Sequence, residues 1–356
     1  MSEMAGHELV MTDQFVRQLH EKLAAATTRV YIQVMTFDGD DSGLAVAEAL
    51  IAAAERGVDV RLVVDCFAFR YISDTKVNHP EVAEEQAATH AMFDRMEAAG
   101  VATTYVNPFG TILQWGPVRN HKKLYVIDDS AYIGGINISD HNFEWLDFNV
   151  TVDEPVLVDA LVTDFLNTCA GERVSVDGPF VTNEFLEPAF AELVENATES
   201  IVIASPYALD WTLSERLAKA KAKKKVVVAA EHSNYRTFRV SDPFVRTKME
   251  EAGVEIRAFT DFFHAKFAIF DGRKVFVGSA NFGLHSFRCN QEIGLVIDDP
   301  KFAAQIEEIL TRTVVVPTST TAPRRALGAF VSLYVRLGTL FFGKVVSPYV
   351  PATTNR

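Results

Sequence analysis

The sequence HAKFAIFD at residues 264–271, followed by GSAN at residues 278–281, repeats a design found earlier in the chain. The earlier copy reads HKKLYVID at residues 121–128 and continues with GGIN at residues 134–137. Each copy begins with a histidine and a lysine two residues apart at the head of an apolar run. On a β-strand, residues with this spacing point to the same face. The pattern therefore predicts that each copy directs an imidazole and an ammonium group into one site.

The segments before each copy follow one order of strands and helices. Residues 29–37 and 58–64 have the apolar pattern of buried strands. The alanine-rich run 44–56 between them is typical of a helix that ends at Gly57. The same order returns after a helix predicted at residues 184–197. We therefore expect an α/β fold of two fused, pseudo-symmetric units, each a mixed and mostly parallel sheet flanked by helices.

The expected organisation of the chain has four parts. The first unit spans residues 1–172 and the second residues 173–315. Residues 316–325 form a linker rich in threonine and proline, and residues 326–347 form an amphipathic C-terminal helix.

Aromatic residues lie in two places beside the predicted strands. The periodic pattern fails between residues 66 and 85, which predicts a long loop that carries Phe67 and Phe69 before a helix at 87–99. Two further aromatic residues, at 262–263, directly precede the second motif. These rings could line a path for acyl chains, or they could belong to the core.

The composition is that of a folded protein, since 48% of the 356 residues are apolar and 23% are charged. The formal net charge of −13 argues against a surface that binds nucleic acid, because neutralisation of phosphates supplies most non-specific affinity. The three cysteines have neither pairing nor metal-ligand spacing, which favours a reducing compartment.

The C-terminal segment differs from ordinary globular sequence. Residues 326–346 contain only two charged residues, Arg336 and Lys344, and their large apolar residues share one face of a predicted helix. An arginine in the middle of a single membrane-spanning helix is unfavourable, so we expect a helix that lies in the membrane interface. The alternative is a helix that docks on this protein or on a second subunit.

The residues of the two motifs suit phosphoryl chemistry. Two lysines and two asparagines that converge can hold a tetrahedral anion, because the ammonium groups neutralise charge on its oxygen atoms. One imidazole can attack phosphorus to form a phosphohistidine, and the other can protonate the leaving alcohol. This chemistry needs neither metal nor cofactor. Asp38, Asp40 and Asp41 could suggest a cation site, but acidic residues before a helix more often cap it.

Four further acidic residues are candidates for supporting roles. Each imidazole needs a carboxylate that fixes its tautomer, and we assign this role to Asp147 and Glu292, which follow the two motif asparagines at the start of strand-like runs. Asp128 and Asp271 end the motif runs at turns, where structural and catalytic roles both remain open.

With this duplicated pattern the chain resembles the phospholipase D superfamily, which is marked by two His-x-Lys-x4-Asp motifs, and within it the bacterial-type cardiolipin synthases and related phosphatidyltransferases. The resemblance covers about residues 12–312. It implies an active site between two fused α/β units and a ping-pong reaction through a phosphatidyl-histidine. By family precedent His121 is the nucleophile and His264 the acid/base, a choice that sequence symmetry alone cannot make. The catalytic residues that it implies are His121, Lys123, Asp128, Asn137, His264, Lys266, Asp271 and Asn281.

The chain departs from the family pattern in three respects. The turn after the first motif is one residue shorter than the turn after the second, and Gly135 stands where the second copy has the supporting residue Ser279. We do not expect the paired N-terminal membrane helices common in bacterial cardiolipin synthases, since residues 1–19 carry Glu3, His7, Glu8 and Asp13 in place of an apolar run. We therefore expect the C-terminal segment to provide the anchor.

The leading hypothesis is a membrane-associated phosphatidyltransferase that uses phospholipids such as phosphatidylglycerol. It would act at the cell membrane as a peripheral or monotopic protein from the cytoplasmic side, and a homo-oligomer is compatible with the sequence. A phospholipase D that transfers the phosphatidyl group to water would need the same residues. A nuclease or other phosphodiesterase of the superfamily is the next alternative, which the net charge and the C-terminal segment disfavour. A binding protein with an inactive site is disfavoured because both copies retain every motif residue.

Overall fold

The computed structural model describes residues 7–69, 80–107, 118–172, 174–178, 180–230, 236–259, 263–313 and 315–317, and residues 329–341 except 331, 335 and 339. The chain divides into two compact units, Met1–Val176 and Asp177–Ser347, each built around one sheet.

The first unit contains seven strands and five helices among its described residues. In chain order they are β1 (Leu9–Met11), α1 (Thr12–Ala25), β2 (Arg29–Val34), α2 (Asp41–Glu55), β3 (Asp59–Asp65), α3 (Pro80–Ala98), β4 (Ala102–Val106), β5 (Leu124–Ile127), β6 (Ser130–Gly134), α4 (Asp140–Glu144), β7 (Phe148–Val152) and α5 (Pro155–Cys169).

The second unit repeats this order within its described part and adds one strand at one edge of its sheet. Its elements are β8 (Phe180–Thr182), α6 (Leu186–Asn196), β9 (Ser200–Ala204), α7 (Trp211–Lys219), β10 (Lys224–Ala230), α8 (Arg236–Glu251), β11 (Glu255–Phe259), β12 (Phe267–Phe270), β13 (Lys274–Gly278), α9 (Leu284–Arg288), β14 (Ile293–Asp298), α10 (Pro300–Arg312) and β15 (Val315–Pro317).

The two sheets have matching strand orders. The first runs β1-β7-β6-β5-β2-β3-β4 and the second β15-β11-β10-β9-β12-β13-β14-β8. Among the described strands, parallel pairs join β2 to β3 and β3 to β4, and likewise β9 to β10 and β10 to β11. The motif strands β5 and β12 pair antiparallel with both of their neighbours. The predicted α/β fold with mixed sheets is confirmed, but the expectation of mostly parallel sheets is wrong. The reason is that tight hairpins join the motif strands to the strands that follow, and a hairpin forces antiparallel pairing.

Local sequence explains where helix α2 begins and ends. The Asp40 side chain accepts a hydrogen bond from the Gly43 amide at 2.8 Å and so caps α2, as predicted. Gly57, with φ of 87°, follows the helix in the left-handed conformation that glycine adopts without strain. The apolar side of α1, formed by Phe15, Leu19 and Leu23, is fully buried in the core of this unit.

The predicted loop at residues 66–85 is only partly correct. Residues 66–69 form a short 3-10 turn, and α3 already begins at Pro80 rather than at residue 87. Proline suits the first turn of a helix because its missing N–H would have no partner there, and this signal was available in the sequence. The intervening residues 70–79 lie outside the described part of the chain.

Candidate active site

Each His-x-Lys pair lies directly before a central strand of its own unit. Residues 121–123 lead into β5 and residues 264–266 into β12, so the pairs stand at the strand entrances rather than within the strands. Both pairs are buried, with 9% exposure for His121 and 8% for His264. In this position the side chains lie at the N-terminal ends of the central strands β5 and β12.

The lysine of each pair folds back onto the histidine of the same pair. Lys123 Nζ donates a hydrogen bond to the carbonyl oxygen of His121 at 2.8 Å. Lys266 Nζ donates to the carbonyl oxygen of His264 in the same way. Because both units show this contact, each ammonium group is held beside the backbone of its histidine.

The motif asparagines tie each site to the end of the neighbouring strand. The Asn137 side-chain oxygen accepts hydrogen bonds from the amides of Met35 and Thr36, which follow β2, at 3.2 and 3.4 Å. The Asn281 side-chain oxygen accepts a hydrogen bond from Ser205 Oγ, which follows β9, at 3.1 Å. Each asparagine therefore connects the segment after its hairpin to a central parallel strand.

The two supporting carboxylates occupy equivalent positions. Asp147 directly precedes β7 and Glu292 directly precedes β14, and both are buried. Glu292 accepts hydrogen bonds from Ser279 Oγ and, at 3.3 Å, from Asn290 Nδ2. The Ser279 hydroxyl also accepts a hydrogen bond from the Ile293 amide at 3.0 Å.

The replacement of serine by Gly135 in the first unit has a steric reason. A Cβ atom at Gly135 would lie 2.4 Å from Asp147 Oδ2, well inside van der Waals contact. The Asp147 carboxylate therefore fills the space that the Ser279 side chain takes in the second unit. Its Oδ1 accepts a hydrogen bond from the Phe148 amide at 2.8 Å.

The motif aspartates lie at the hairpin turns, at the other end of the motif strands. Asp128 accepts hydrogen bonds from the amides of Thr27, Thr28 and Arg29, and adopts φ of 49°. Burial acts to raise the pKa of the Asp128 carboxyl, but these amide hydrogen bonds outweigh it and leave the pKa below the ordinary value.

Asp271 repeats this arrangement in the second unit. It accepts hydrogen bonds from the amides of Thr198, Glu199 and Ser200, and its pKa is lowered for the same reasons. Such contacts fasten the start of β2 or β9 to the hairpin, which favours the structural interpretation of both aspartates. Their catalytic assignment stays a prediction.

Charged residues that the sequence analysis did not single out surround the first motif. Lys122 Nζ lies 2.9 and 2.8 Å from the two carboxylate oxygens of Asp164 on α5, and both side chains are buried. Arg119 forms a second buried ion pair with Asp65, at 3.1 Å. The sequence offered one weak signal, since Asp65 closes a buried strand and Arg119 and Lys122 flank the motif histidine.

The aromatic residues near the motifs mostly belong to the core. Phe69 packs edge-on against Phe93 and Tyr105, and Phe263 is buried and stacks on Phe259. These contacts favour the core alternative over an acyl-chain path. Residue 262 lies outside the described part of the chain.

One group of described residues has the spacing of metal ligands. Ligand atoms of Asp38, Asp40 and His141 lie within 4.8 Å of one another. Asp40 already caps α2 and accepts a hydrogen bond from the Asp140 amide at 2.6 Å. The capping function thus accounts for this carboxylate without a cation.

Comparisons with known proteins give a consistent family relation. A family model described as "Cardiolipin synthase, PLD-like domain" matches residues 19–168 and 190–314. Cardiolipin synthase A of Proteus mirabilis is 28% identical over 305 residues, which cover 73% of this chain and 59% of that protein. Cardiolipin synthase A of Yersinia pseudotuberculosis serotype O:1b is 26% identical over 345 residues, which cover 85% of this chain and 67% of that protein. The chain thus matches only about three fifths to two thirds of the length of these relatives.

Solved structures show the same fold at low identity. Phosphatidylserine synthase of Haemophilus influenzae superposes with a TM-score of 0.69 at 14% identity, covering 97% of this chain and 95% of its own. Polyphosphate kinase of Porphyromonas gingivalis superposes with a TM-score of 0.61 at 14% identity, covering 94% of this chain and 56% of its own. At such identities these matches establish the fold alone.

Proposed function

The chain belongs to the phospholipase D-like family whose model is described as a cardiolipin synthase domain, and on that premise we propose that it is a phosphatidyltransferase that uses phospholipids. The observation that carries the proposal is the duplicated set of histidine, lysine, asparagine and supporting carboxylate, which the structure shows with corresponding contacts in each unit. A function that needed one set alone would not require both units to keep all four groups.

The proposed reaction has two steps that use both histidines. The imidazole of His121 attacks the donor phosphorus, so that a phosphorus–nitrogen bond forms and the bond to the leaving alcohol breaks. The protonated imidazole of His264 gives its proton to that alcohol. An acceptor lipid then loses its hydroxyl proton to His264 and attacks phosphorus, which releases His121. The order of the two histidines follows family precedent.

The other motif residues would stabilise charge and geometry. Lys123, Lys266, Asn137 and Asn281 would carry donors for the phosphoryl oxygens, and the burial of the first three strengthens such electrostatic interactions. Asp147 and Glu292 would orient the imidazoles. The lysines supply the positive charge for which other phosphotransferases use a metal ion, so we propose a metal-independent reaction.

The C-terminal helix supports association with a membrane surface. Within the described residues no helix is long and apolar enough to cross a bilayer. The described part of residues 329–341 is helical. Leu340 is partly buried, but five large apolar side chains are at least half exposed: Phe330 67%, Leu333 52%, Tyr334 72%, Leu337 57% and Phe341 50%. An apolar face of this kind usually marks an interaction surface.

The polar side of this helix faces the protein instead. Ser332 is buried, and Arg336 Nη1 lies 3.1 Å from Glu215 Oε1 on α7. The same carboxylate oxygen accepts a hydrogen bond from Trp211 Nε1 at 2.6 Å. The arginine that would oppose insertion into lipid is thus paired with a carboxylate of α7 in the same unit. We propose that the exposed face lies in the membrane interface, with the protein bound peripherally from the cytoplasmic side.

A product analysis tests the proposed activity. Purified full-length protein is incubated with headgroup-labelled phosphatidylglycerol in mixed micelles, and the lipids are identified by mass spectrometry. Transfer between two lipids should give cardiolipin and glycerol, whereas hydrolysis would give phosphatidic acid and glycerol. The same assay with EDTA should show an unchanged rate, and a strict metal requirement would contradict the role given to the lysines. Absence of any lipid product would reject the proposed function.

A further inference from the structure

The strand registers allow the two half-sites to be compared residue by residue. Gln33 pairs with Leu124, the first residue of β5, and Ala204 pairs with Phe267, the first residue of β12, so Gln33 and Ala204 are equivalent. Counting along the strands and motifs gives four equivalent pairs: Gln33 and Ala204, Asp65 and Ala230, Asn120 and Phe263, and Lys122 and Ala265. Every position is polar in the first unit and apolar in the second.

The polar set of the first unit forms a connected network directly before His121. Asp65 Oδ2 accepts a hydrogen bond from the Asn120 amide at 2.7 Å, and Asp65 Oδ1 lies 3.1 Å from Arg119 Nη1. The Asn120 side-chain oxygen accepts hydrogen bonds from Gln33 Nε2 at 3.0 Å and from the Lys122 amide at 3.2 Å. The backbone on both sides of the histidine is therefore fixed by this network.

A second connection starts between the two catalytic side chains. Lys122 stands between His121 and Lys123, and its ammonium group binds both carboxylate oxygens of Asp164 on α5. Asp164 and Lys122 are almost completely buried. The backbone between the motif histidine and lysine is thus attached to a helix that covers the sheet.

The second unit holds its motif in a different way. Ala265 replaces Lys122, and Phe263, in the place of Asn120, stacks on Phe259 with 3.7 Å between ring centroids. Within the described residues, the positions that carry the polar network of the first unit therefore hold apolar side chains in the second.

A buried ion pair is a poor device for stability alone. Desolvation of the two charges offsets much of their attraction, and apolar side chains of similar volume often serve as well or better. The second unit shows that this fold accepts apolar residues at the positions of Asp65 and Lys122. A requirement other than stability therefore accounts for the charges of the first unit.

We infer that Asp65 and the Lys122–Asp164 pair are positioning residues, which hold His121 and Lys123 in the geometry that the reaction needs. This inference rests on the proposed function, in which the His121 imidazole must meet phosphorus at a fixed distance and angle. Small displacements of a reacting group reduce rates strongly, because the near-attack arrangement is lost.

The test replaces the pair without leaving a buried charge. In Lys122→Met/Asp164→Leu, two apolar side chains fill the volume of the pair, so the protein should fold with a similar unfolding midpoint in urea. We expect kcat for phosphatidyl transfer to fall about 10- to 100-fold. KM should change less than about twofold, because lipid binding does not depend on the pair.

Two control variants separate positioning from stability. Leu161→Ala removes a fully buried side chain one turn before Asp164 on the same helix and should lower stability while kcat per folded molecule stays unchanged. Lys122→Arg keeps the charge opposite Asp164 and should retain most of the activity. If Leu161→Ala lowers kcat as much as the double variant does, a general loss of stability explains both and the inference is overturned.

A spectroscopic readout keeps the test independent of turnover. With histidines labelled by ¹⁵N, the signal of His121, assigned by its loss in His121→Asn, should shift and broaden in the double variant and stay in place in Leu161→Ala. Wild-type kcat in the double variant overturns the inference, whatever the signal does. If the wild-type protein transfers no lipid, the proposed function fails, and the histidine signal alone then decides whether the pair positions His121.

Discussion

At the scale of single residues, the two units build corresponding arrangements around their motifs with different side chains. Asp147 is shorter than Glu292, and Gly135 leaves the space that its carboxylate occupies. In the second unit the longer Glu292 instead meets the hydroxyl of Ser279. Glycine at position 135 is thus matched to the shorter Asp147, and serine at position 279 to the longer Glu292. Both units therefore keep a buried carboxylate at this place.

Substitution of either motif histidine should abolish turnover. His121→Asn removes the proposed nucleophile and His264→Asn the proposed proton donor, and each loss should lower kcat by at least about 1000-fold. Asparagine is smaller than histidine and polar, so the fold should persist. Turnover of labelled phosphatidylglycerol and the unfolding midpoint are measured together.

A matched control for these variants lies on a surface helix. His20→Asn on α1 changes a partly exposed histidine of the same unit and should leave the rate unchanged. A near-normal rate in either motif variant would rule out the two-histidine mechanism.

At the scale of elements, the C-terminal helix has an orientation opposite to that of an ordinary surface helix. Ser332 and Arg336 lie against the protein, whereas most of the large apolar residues are exposed. The Arg336–Glu215 pair is partly exposed, so its contribution to stability should be below about 1 kcal/mol. Its importance is in setting the rotation of the helix, because it fixes which face is presented outward.

Charges placed on the outward face should release the protein from membranes. Leu333→Lys/Leu337→Lys should leave the unfolding midpoint unchanged, since both side chains are exposed. Binding to lipid should weaken by at least about 100-fold, because burial of each leucine contributes about 1.5–3 kcal/mol. Sedimentation with phosphatidylglycerol vesicles measures the effect. Deletion of residues 323–356 should have at least the same effect.

Val156→Lys provides the control, since Val156 is an apolar residue of the first unit with 74% exposure. Vesicle binding by this variant should equal that of the wild type. Unchanged sedimentation of the double-lysine variant would refute the membrane contact. A change from dimer to monomer in that variant would show instead that a second copy of the chain covers the face.

At the scale of the whole molecule, charge separates the lipid hypothesis from the nuclease alternative. A net charge of −13 disfavours the binding of nucleic acid, because binding depends on neutralisation of its many phosphates by lysine and arginine. A single lipid headgroup needs only the few cations of the motif sites. The proposed catalytic groups can therefore act on a lipid phosphodiester while the net charge of the protein disfavours nucleic acid.

We predict that the protein cleaves neither single- nor double-stranded DNA at low ionic strength, where electrostatic attraction is strongest. Gel analysis of labelled oligonucleotides, run beside the lipid assay with the same protein sample, checks this outcome. DNA cleavage that disappears in His121→Asn would contradict the lipid assignment and support the nuclease alternative.

The local patterns of the sequence were sufficient for the elements and the motif residues. Period-two and helical spacing identified the strands and helices around both motifs, because these patterns depend on neighbours within a few residues. The duplication identified the two units. The strand directions were predicted less well, since the hairpins at residues 128–129 and 271–273 make the motif strands antiparallel. The position of the active site relative to the two units stays a prediction from the family resemblance.

By itself, then, the sequence determined the two α/β units, the paired histidines and lysines and the amphipathic character of the C-terminal segment. Only the tertiary structure decided that Lys122 meets Asp164, that Asp65 binds Arg119 and that Arg336 meets Glu215. These partners are separated by 42, 54 and 121 residues. Such contacts depend on strand order and helix packing, which no local pattern encodes. They make the first half-site differ from the second and turn the apolar face of the last helix outward.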